Sequence, residues 1–297
     1  MSVQDKNNSH FDETAQAYDD QPQVKEVTKR SSNIIIEEFK ASTSADHVKN
    51  ASVLDFGCGT GLCAFLVADH VKHLLGVDAS KGMLTQLHHK LDTLDEFASV
   101  KDKIHTVNHL VTDDAPLPEP EATQYLSGPE GGFDMVFSHF VMHHIEDVEG
   151  VTRTIANKLL KKDGWLIYLD LEGATPHSHG HEGHAHSHDH GDGHGHGHGH
   201  EHAPHAHGHG EHSHGHHEHR QHPEGHEQLT QAHFVDKDGK PMEIVPHKQG
   251  FTPENFSEIL RKAGLVDVSA KHCFGQYRDS HGKKIWMDVM MVKGRRA

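Results

Sequence analysis

The sequence predicts an α/β fold: one domain on a mostly parallel seven-stranded sheet, with an antiparallel C-terminal hairpin and a disordered His-rich insertion after strand five. Three observations carry this. From Ser52 onward, short apolar runs alternate with amphipathic helical patterns, the mark of a parallel sheet with helices on both faces. The last two apolar runs each alternate with period two and are joined by a turn. Between the fifth strand and the last helix lies His177 to His226, a stretch of 50 residues with 22 of the 37 histidines and no Val, Ile, Leu, Met, Phe, Trp or Tyr, so it can build no core.

The elements follow in order. The first ten residues are polar and read as disordered. Val24, Val27, Ile34, Ile35 and Phe39 recur at helical spacing, and Ser42 to Lys49 reads as a linker. Val53 to Phe56 is a buried strand, Leu62 to His70 a helix and Leu74 to Val77 a second strand. The next helix has Met83, Leu84, Leu87, Leu91 and Leu94 on one face. Ile104 to Val111 is the third strand and Phe133 to Phe137 the fourth. A helix with Val148, Val151, Ile155 and Leu159 leads to the fifth strand, Trp165 to Leu169. Thr252 is a good N-cap before Pro253, and Gly264 stops that helix. Val266 to Phe274 and Ile285 to Val292 form the hairpin around Asp279-Ser280-His281-Gly282. The organisation is a tail and helix over 1–50, a core over 51–172, the insert over 173–243 and a completing segment over 244–297.

Without the 50-residue stretch, 247 residues of ordinary globular composition remain, enough to bury a core. A formal charge of −16 argues against a nucleic-acid partner held by phosphate contacts. Protonation of all 37 histidines would carry that charge to +21, so the molecule's field depends on acidity. Met1 to Ala15 lacks the apolar core of a signal peptide, and no apolar run approaches the roughly 20 residues that span a bilayer. Cys58, Cys63 and Cys273 show no framework spacing and read as thiols of a reducing compartment, so the expected location is cytoplasmic, with no membrane partner.

The chemistry centres on Asp55-Phe56-Gly57-Cys58-Gly59-Thr60-Gly61, between the first strand and its helix. The third glycine of a dinucleotide fingerprint would fall at Leu62. Asp55 would repel a pyrophosphate at the helix N-terminus and suits a ligand with an amino group and a positive centre. Asp78, ending the second strand, can accept from both hydroxyls of a ribose. The ligand implied is a nucleoside carrying a cation and no phosphates, and S-adenosylmethionine fits.

This loop, with Gly76-Val77-Asp78-Ala79-Ser80-Lys81-Gly82-Met83-Leu84, resembles the first two motifs of class I S-adenosylmethionine-dependent methyltransferases, whose domain is Rossmann-like. Asp113-Asp114-Ala115-Pro116-Leu117-Pro118, Phe133-Asp134-Met135-Val136-Phe137-Ser138 with His143-His144-Ile145, and Leu160 to Trp165 resemble the later motifs. Phe11-Asp12 with Ala17-Tyr18-Asp19 resembles the lid segment of the ubiquinone-biosynthesis-type small-molecule branch. The resemblance implies that Asp55, Gly57, Gly59 and Gly61 cradle the methionine part, Asp78 binds the ribose, Met83 packs on the adenine and Asp113 or Asp114 meets its amino group, with Ser138 at the same cofactor site. For each acid a loop cap is the alternative, and for Met83 plain core.

Methyl transfer is a displacement at an activated carbon, so the protein supplies alignment and a dry pocket, and a base only where the acceptor holds its proton. His143 and His144, just past strand four, are the candidate bases, with His139 nearby; the alternative is a histidine bonded to loop backbone. His247 resembles a histidine near the same turn in related enzymes. The Asn/Asp-Pro-Pro-aromatic run of adenine- and glutamine-directed enzymes is replaced by Ser138-His139-Phe140-Val141, which weighs against a DNA, RNA-adenine or glutamine acceptor and leaves a protein or peptide open beside the small molecule that the branch resemblance implies.

Neutral imidazoles on a flexible Gly-rich chain suit Zn and Ni, so His194, His196, His198, His200, His205, His207 and His209 represent a divalent-metal-binding tract. Two functions remain open: methyl transfer to a small molecule beside a metal-binding loop, and a metal-buffering or metal-responsive protein on a methyltransferase scaffold with weak or lost catalysis.

Overall fold

A computed structural model describes residues 2–20, 22–128, 131–173, 227–235, 240–280 and 283–297 of the chain. Strand periodicity sets the centre of the molecule. In β1 (Ser52–Phe56) successive side chains face opposite ways. Val53 joins Leu74, Met135 and Ile167 in one apolar layer; Leu54 joins Leu75, Val136 and Leu166 in the other. Both layers are covered by helices, so the strands read as continuous apolar runs.

β1 pairs in parallel with β2 (His73–Asp78) on one side and with β4 (Phe133–His139) on the other. β3 (Ile104–Asn108) lies beyond β2, and β5 (Leu160–Leu171) beyond β4. β7 (Leu265–Ser280) and β8 (Lys283–Arg296) form the expected hairpin. β8 runs antiparallel to β5, giving the order β3-β2-β1-β4-β5-β8 with β7 on β8. A two-residue strand, β6 (Glu227–Gln228), adds in parallel to β8 at Ile285 and Trp286. The chain order reverses at β1, and the ends of β1 and β4 open a crevice where such sheets bind ligands.

One face is packed by α2 (Pro22–Ser42), through Ile35, Ile36 and Phe39, and by α4 (Leu62–Ala68), through Ala64, Phe65 and Val67. The other is packed by α7 (Val148–Thr154), a π-turn over Ile155–Leu159 and α8 (Pro253–Lys262), through Ile155, Phe256 and Leu260. As expected, Thr252 caps α8 by accepting from Asn255 N–H at 3.2 Å, with Pro253 in its first turn.

Three expectations are corrected. The expected disorder of the first ten residues is not found over residues 2–10: Ser2 caps α1 (Val3–Thr14). Ser2 Oγ accepts from Asp5 N–H while Asp5 accepts from Ser2 N–H, a reciprocal cap that a polar sequence carries without any apolar stripe. Ser42 to Lys49 is no open linker either. Ser44 accepts from His47 N–H at 3.1 Å and starts α3 (Ala45–Asn50), whose Val48 is buried. The third strand stops at Asn108 rather than Val111. Of the expected insert over 173–243, residues 173, 227–235 and 240–243 are described, and Phe234 packs there with Leu171, Ile244 and Val245.

Candidate cofactor and acceptor site

A cavity of about 570 Å3 lies at the C-terminal ends of β1, β2, β4 and β5. Its first half is the glycine loop. Gly57 and Cys58 donate to the Val77 carbonyl at 2.8 and 3.2 Å, which ties the loop to β2. Gly57 has φ +75° and presses on Val141, where a Cβ would come within 2.5 Å of a methyl carbon. Gly59 has φ +53° and meets open space, so its backbone is what the cavity sees.

Asp55 is buried and lines this half. Its Oδ2 has no hydrogen-bond partner, and burial, with the charge of Asp78, pushes its carboxyl well above the ordinary range. Asp78 accepts from Gly59 N–H and from Ser80 N–H, both at 2.8 Å. Burial raises its carboxyl and these two bonds oppose the rise. Met83, on α5 (Lys81–Thr93), is buried and touches the cavity, as do His109, Leu110 and Val111. An orphaned carboxylate oxygen, an open glycine and a second acid fit a cationic nucleoside of the S-adenosylmethionine type.

Asp113, Asp114 and Ser138 are not brought to the cavity wall. Asp113 pairs at 3.0 Å with Lys158 of the π-turn, at the surface. Ser138 Oγ donates to the Phe56 carbonyl at 2.8 Å, linking β4 to β1.

The N-terminal helix roofs the cavity. Asp12 accepts from Ser80 Oγ and Gly82 N–H, both at 2.7 Å, which clasps α1 to the start of α5. Asn7 donates to the His144 carbonyl at 3.0 Å. Asp19 accepts from Thr60 Oγ1 at 2.6 Å and pairs with Lys90.

The second half holds the histidines. His143 Nδ1 lies 2.6 Å from Asp170 Oδ1, and both residues are buried. A carboxylate only accepts, so Nδ1 carries the proton and Nε2 is the basic nitrogen. His144 instead places Nδ1 2.9 Å from the Ile244 carbonyl, the backbone-bonded alternative. Burial, then the charge of His143, holds it well below the usual imidazole range. His139 also lines the cavity, and burial pushes it down to about 4. His247 N–H donates to the His143 carbonyl at 3.2 Å, and its ring packs on Phe251. Phe140, between the histidines, has φ +57°, a left-handed backbone that costs a non-glycine residue about 1–3 kcal/mol.

Sequence reasoning missed Asp170 and Arg278. An acid inside Leu169-Asp170-Leu171 was a readable signal, because a buried strand has no other use for a carboxylate. Arg278 on β7 gave none.

Residues 54–166 match a family model described as a methyltransferase domain. Over that stretch the chain is similar to a methyltransferase domain. Over 121 residues, or 40% of the chain, it is 31% identical to an uncharacterized methyltransferase of Schizosaccharomyces pombe, covering 38% of that protein. It is 26% identical over 164 residues, 55% of the chain, to the uncharacterized methyltransferase YcgJ of Bacillus subtilis, covering 54%. It is 28% identical over 130 residues, 44% of the chain, to a ubiquinone biosynthesis O-methyltransferase of Pelagibacter ubique, covering 46%. The chain thus spans about half or less of the length of these relatives. A chain of the complex between the Haloferax volcanii Trm112 methyltransferase activator and a methyltransferase superposes with a TM-score of 0.50 at 13% identity, covering 96% of this chain and 97% of that one. That likeness shows the Rossmann-like methyltransferase fold.

The metal candidates His194, His196, His198, His200, His205, His207 and His209 lie outside the described residues. Among the described residues no group of three His, Cys, Asp or Glu is placed to hold a metal. No described helix is long and apolar enough to cross a membrane.

Proposed function

We propose that this protein transfers a methyl group from S-adenosylmethionine to a small-molecule acceptor, with His143 taking the acceptor's proton. One observation carries the reading. A single cavity joins the Asp55, Gly59 and Asp78 end to the His143–Asp170 pair. When bound, the cofactor supplies a methyl group already activated by its sulfonium charge.

The chain supplies the rest. Asp55 and Asp78 are suited to the cofactor's ammonium and ribose hydroxyls. Asp170 fixes the ring and tautomer of His143, leaving Nε2 to accept a proton. The α1 roof and the apolar residues Val141, Ile145 and Met242 exclude water, which strengthens these interactions. The name of the Pelagibacter relative supports a hydroxyl acceptor, for which a positioned base matters most. The histidine tract is proposed to bind Zn or Ni as a separate property.

The test is calorimetry with S-adenosylmethionine and S-adenosylhomocysteine, followed by a screen of cell metabolites with labelled cofactor. Micromolar binding and label transfer that is lost in His143→Gln are expected. Absence of cofactor binding overturns the reading.

A further inference from the structure

We propose that the methyl acceptor carries an anionic group, of the carboxylate type, held by Arg278. The inference rests on the methyl-transfer reading above and names the substrate class for that site. Arg278 lies on β7, is half-buried and lines the cavity with its neighbour Gln276 and with Met287. No described residue gives its guanidinium a hydrogen bond or an ion pair. Three other arginines are matched: Arg295 pairs with Asp163 and Asp267, Arg296 donates to the Leu160 carbonyl, and Arg30 stacks over Phe274. A guanidinium keeps its charge at any physiological acidity, so a half-buried one left unmatched is a standing demand for an anion.

The cavity's other charges say at which end that anion sits. Asp78, joined by Asp55 once a cationic ligand lies beside it, places the negative charge at the glycine loop. The Asp170 carboxylate is already taken by His143 and by Leu171 N–H. Two residues along β7, Gln276 pairs with Met287, which clusters with Leu171, Ile244 and Val245, and the Ile244 carbonyl bonds His144, so Arg278 sits toward the histidine end; its charge also acts on Tyr18, which Asp78 reaches from the glycine loop. The cavity is therefore polarised, acidic where the cationic cofactor is expected and basic beside the proposed base. Phe140, Val141, Met242 and Ile244 give the same end an apolar wall, so the ligand that fits is an apolar or aromatic body ending in a carboxylate.

Benzoate and its uncharged isostere benzamide probe this directly, titrated into the full chain saturated with S-adenosylhomocysteine. The wild type should bind benzoate at least about tenfold more tightly than benzamide. Arg278→Met should abolish the preference, and Arg278→Lys should keep part of it. Both variants should hold S-adenosylhomocysteine within about twofold of wild type, and matching melting curves establish that they fold. Absence of a benzoate preference in the wild type overturns the proposal. So does a large loss of S-adenosylhomocysteine affinity in Arg278→Met with benzoate binding unchanged, because the guanidinium would then serve the cofactor's own carboxylate. If the wild type binds no S-adenosylhomocysteine, the methyl-transfer reading fails instead. The benzoate comparison on the cofactor-free protein then still decides whether Arg278 holds an anion.

Discussion

Asp170 grips His143 twice: its Oδ1 takes the ring Nδ1 at 2.6 Å, and its Oδ2 takes the backbone N–H at 3.3 Å. The ring is thus fixed in position and in tautomer by one carboxylate. Asp170→Asn should lower turnover by about 10²- to 10³-fold, because an amide can donate to Nδ1 and select the wrong tautomer. Cofactor affinity should stay within about twofold. Steady-state rates across pH, with calorimetry beside them, check this. A purely structural Asp170 would instead show as a lost thermal transition.

Asp78→Ala should weaken cofactor binding by more than about tenfold. The two charge-assisted bonds proposed to hold a ribose are removed, and Gly59 N–H and Ser80 N–H lose the acceptor that fixes the loop. Calorimetry on the purified variant measures it.

Asp55 should couple cofactor binding to proton release. Burial and Asp78 hold its carboxyl well above the ordinary range, so the empty site favours the protonated form. A cationic ligand beside it favours the ionised form, so binding expels a proton and affinity rises with pH. Calorimetry in two buffers of different ionisation enthalpy should show the release, and Asp55→Asn should remove it.

Acid should destabilise the fold through its buried histidines. His139 is pushed down to about 4, and His144 well below its usual range. Unfolded, both take up protons near 6.5, whereas the folded chain does not. The unfolded state therefore binds more protons as pH falls from about 6.5 through about 4, and stability drops across that window. His139 accounts for about 3 kcal/mol when the window is fully crossed. Urea titrations at pH 7 and pH 5 test this; His139→Phe should flatten the difference.

Deleting residues 176–225 and closing the gap with a short Gly/Ser linker should leave a folded, cofactor-binding protein. The removed stretch has no side chain large and apolar enough to enter a core, and closing a shorter loop costs little. Zinc and nickel binding should fall to a small residue. In the intact chain that binding should decline steeply below about pH 6, where protons compete for imidazole. Metal titration and melting of both proteins check each half.

The sheet was legible because its signals are local. Period-two burial at Val53 and Leu54 and the cap at Thr252 need no partner to be read. The glycine loop and Asp78 were legible because their chemistry is written in consecutive residues. What escaped depends on contacts between distant segments. Asp170 acquires its meaning from His143, 27 positions away. Arg278 becomes notable only once it is seen to line the cavity with no described residue hydrogen-bonded to its guanidinium. Helix α1 was missed because its stability comes from a reciprocal cap and from Asp12 on α5, not from an apolar stripe. Asp113 looked apt by position in the chain, yet Lys158 draws it outward.

Chain connectivity gives the histidine tract a particular audience. Its near end leaves the sheet after Leu171, where Gly173 N–H donates to the Phe251 carbonyl at 2.9 Å. Its far end returns at Glu227 and continues into Phe234, Met242, Ile244 and Val245, which wall the cavity. Both anchor points belong to the histidine side, and neither touches the glycine loop. On the proposed reading, a shorter connection between these two anchors is expected to change the KM for the acceptor and to leave the Kd for the cofactor unchanged.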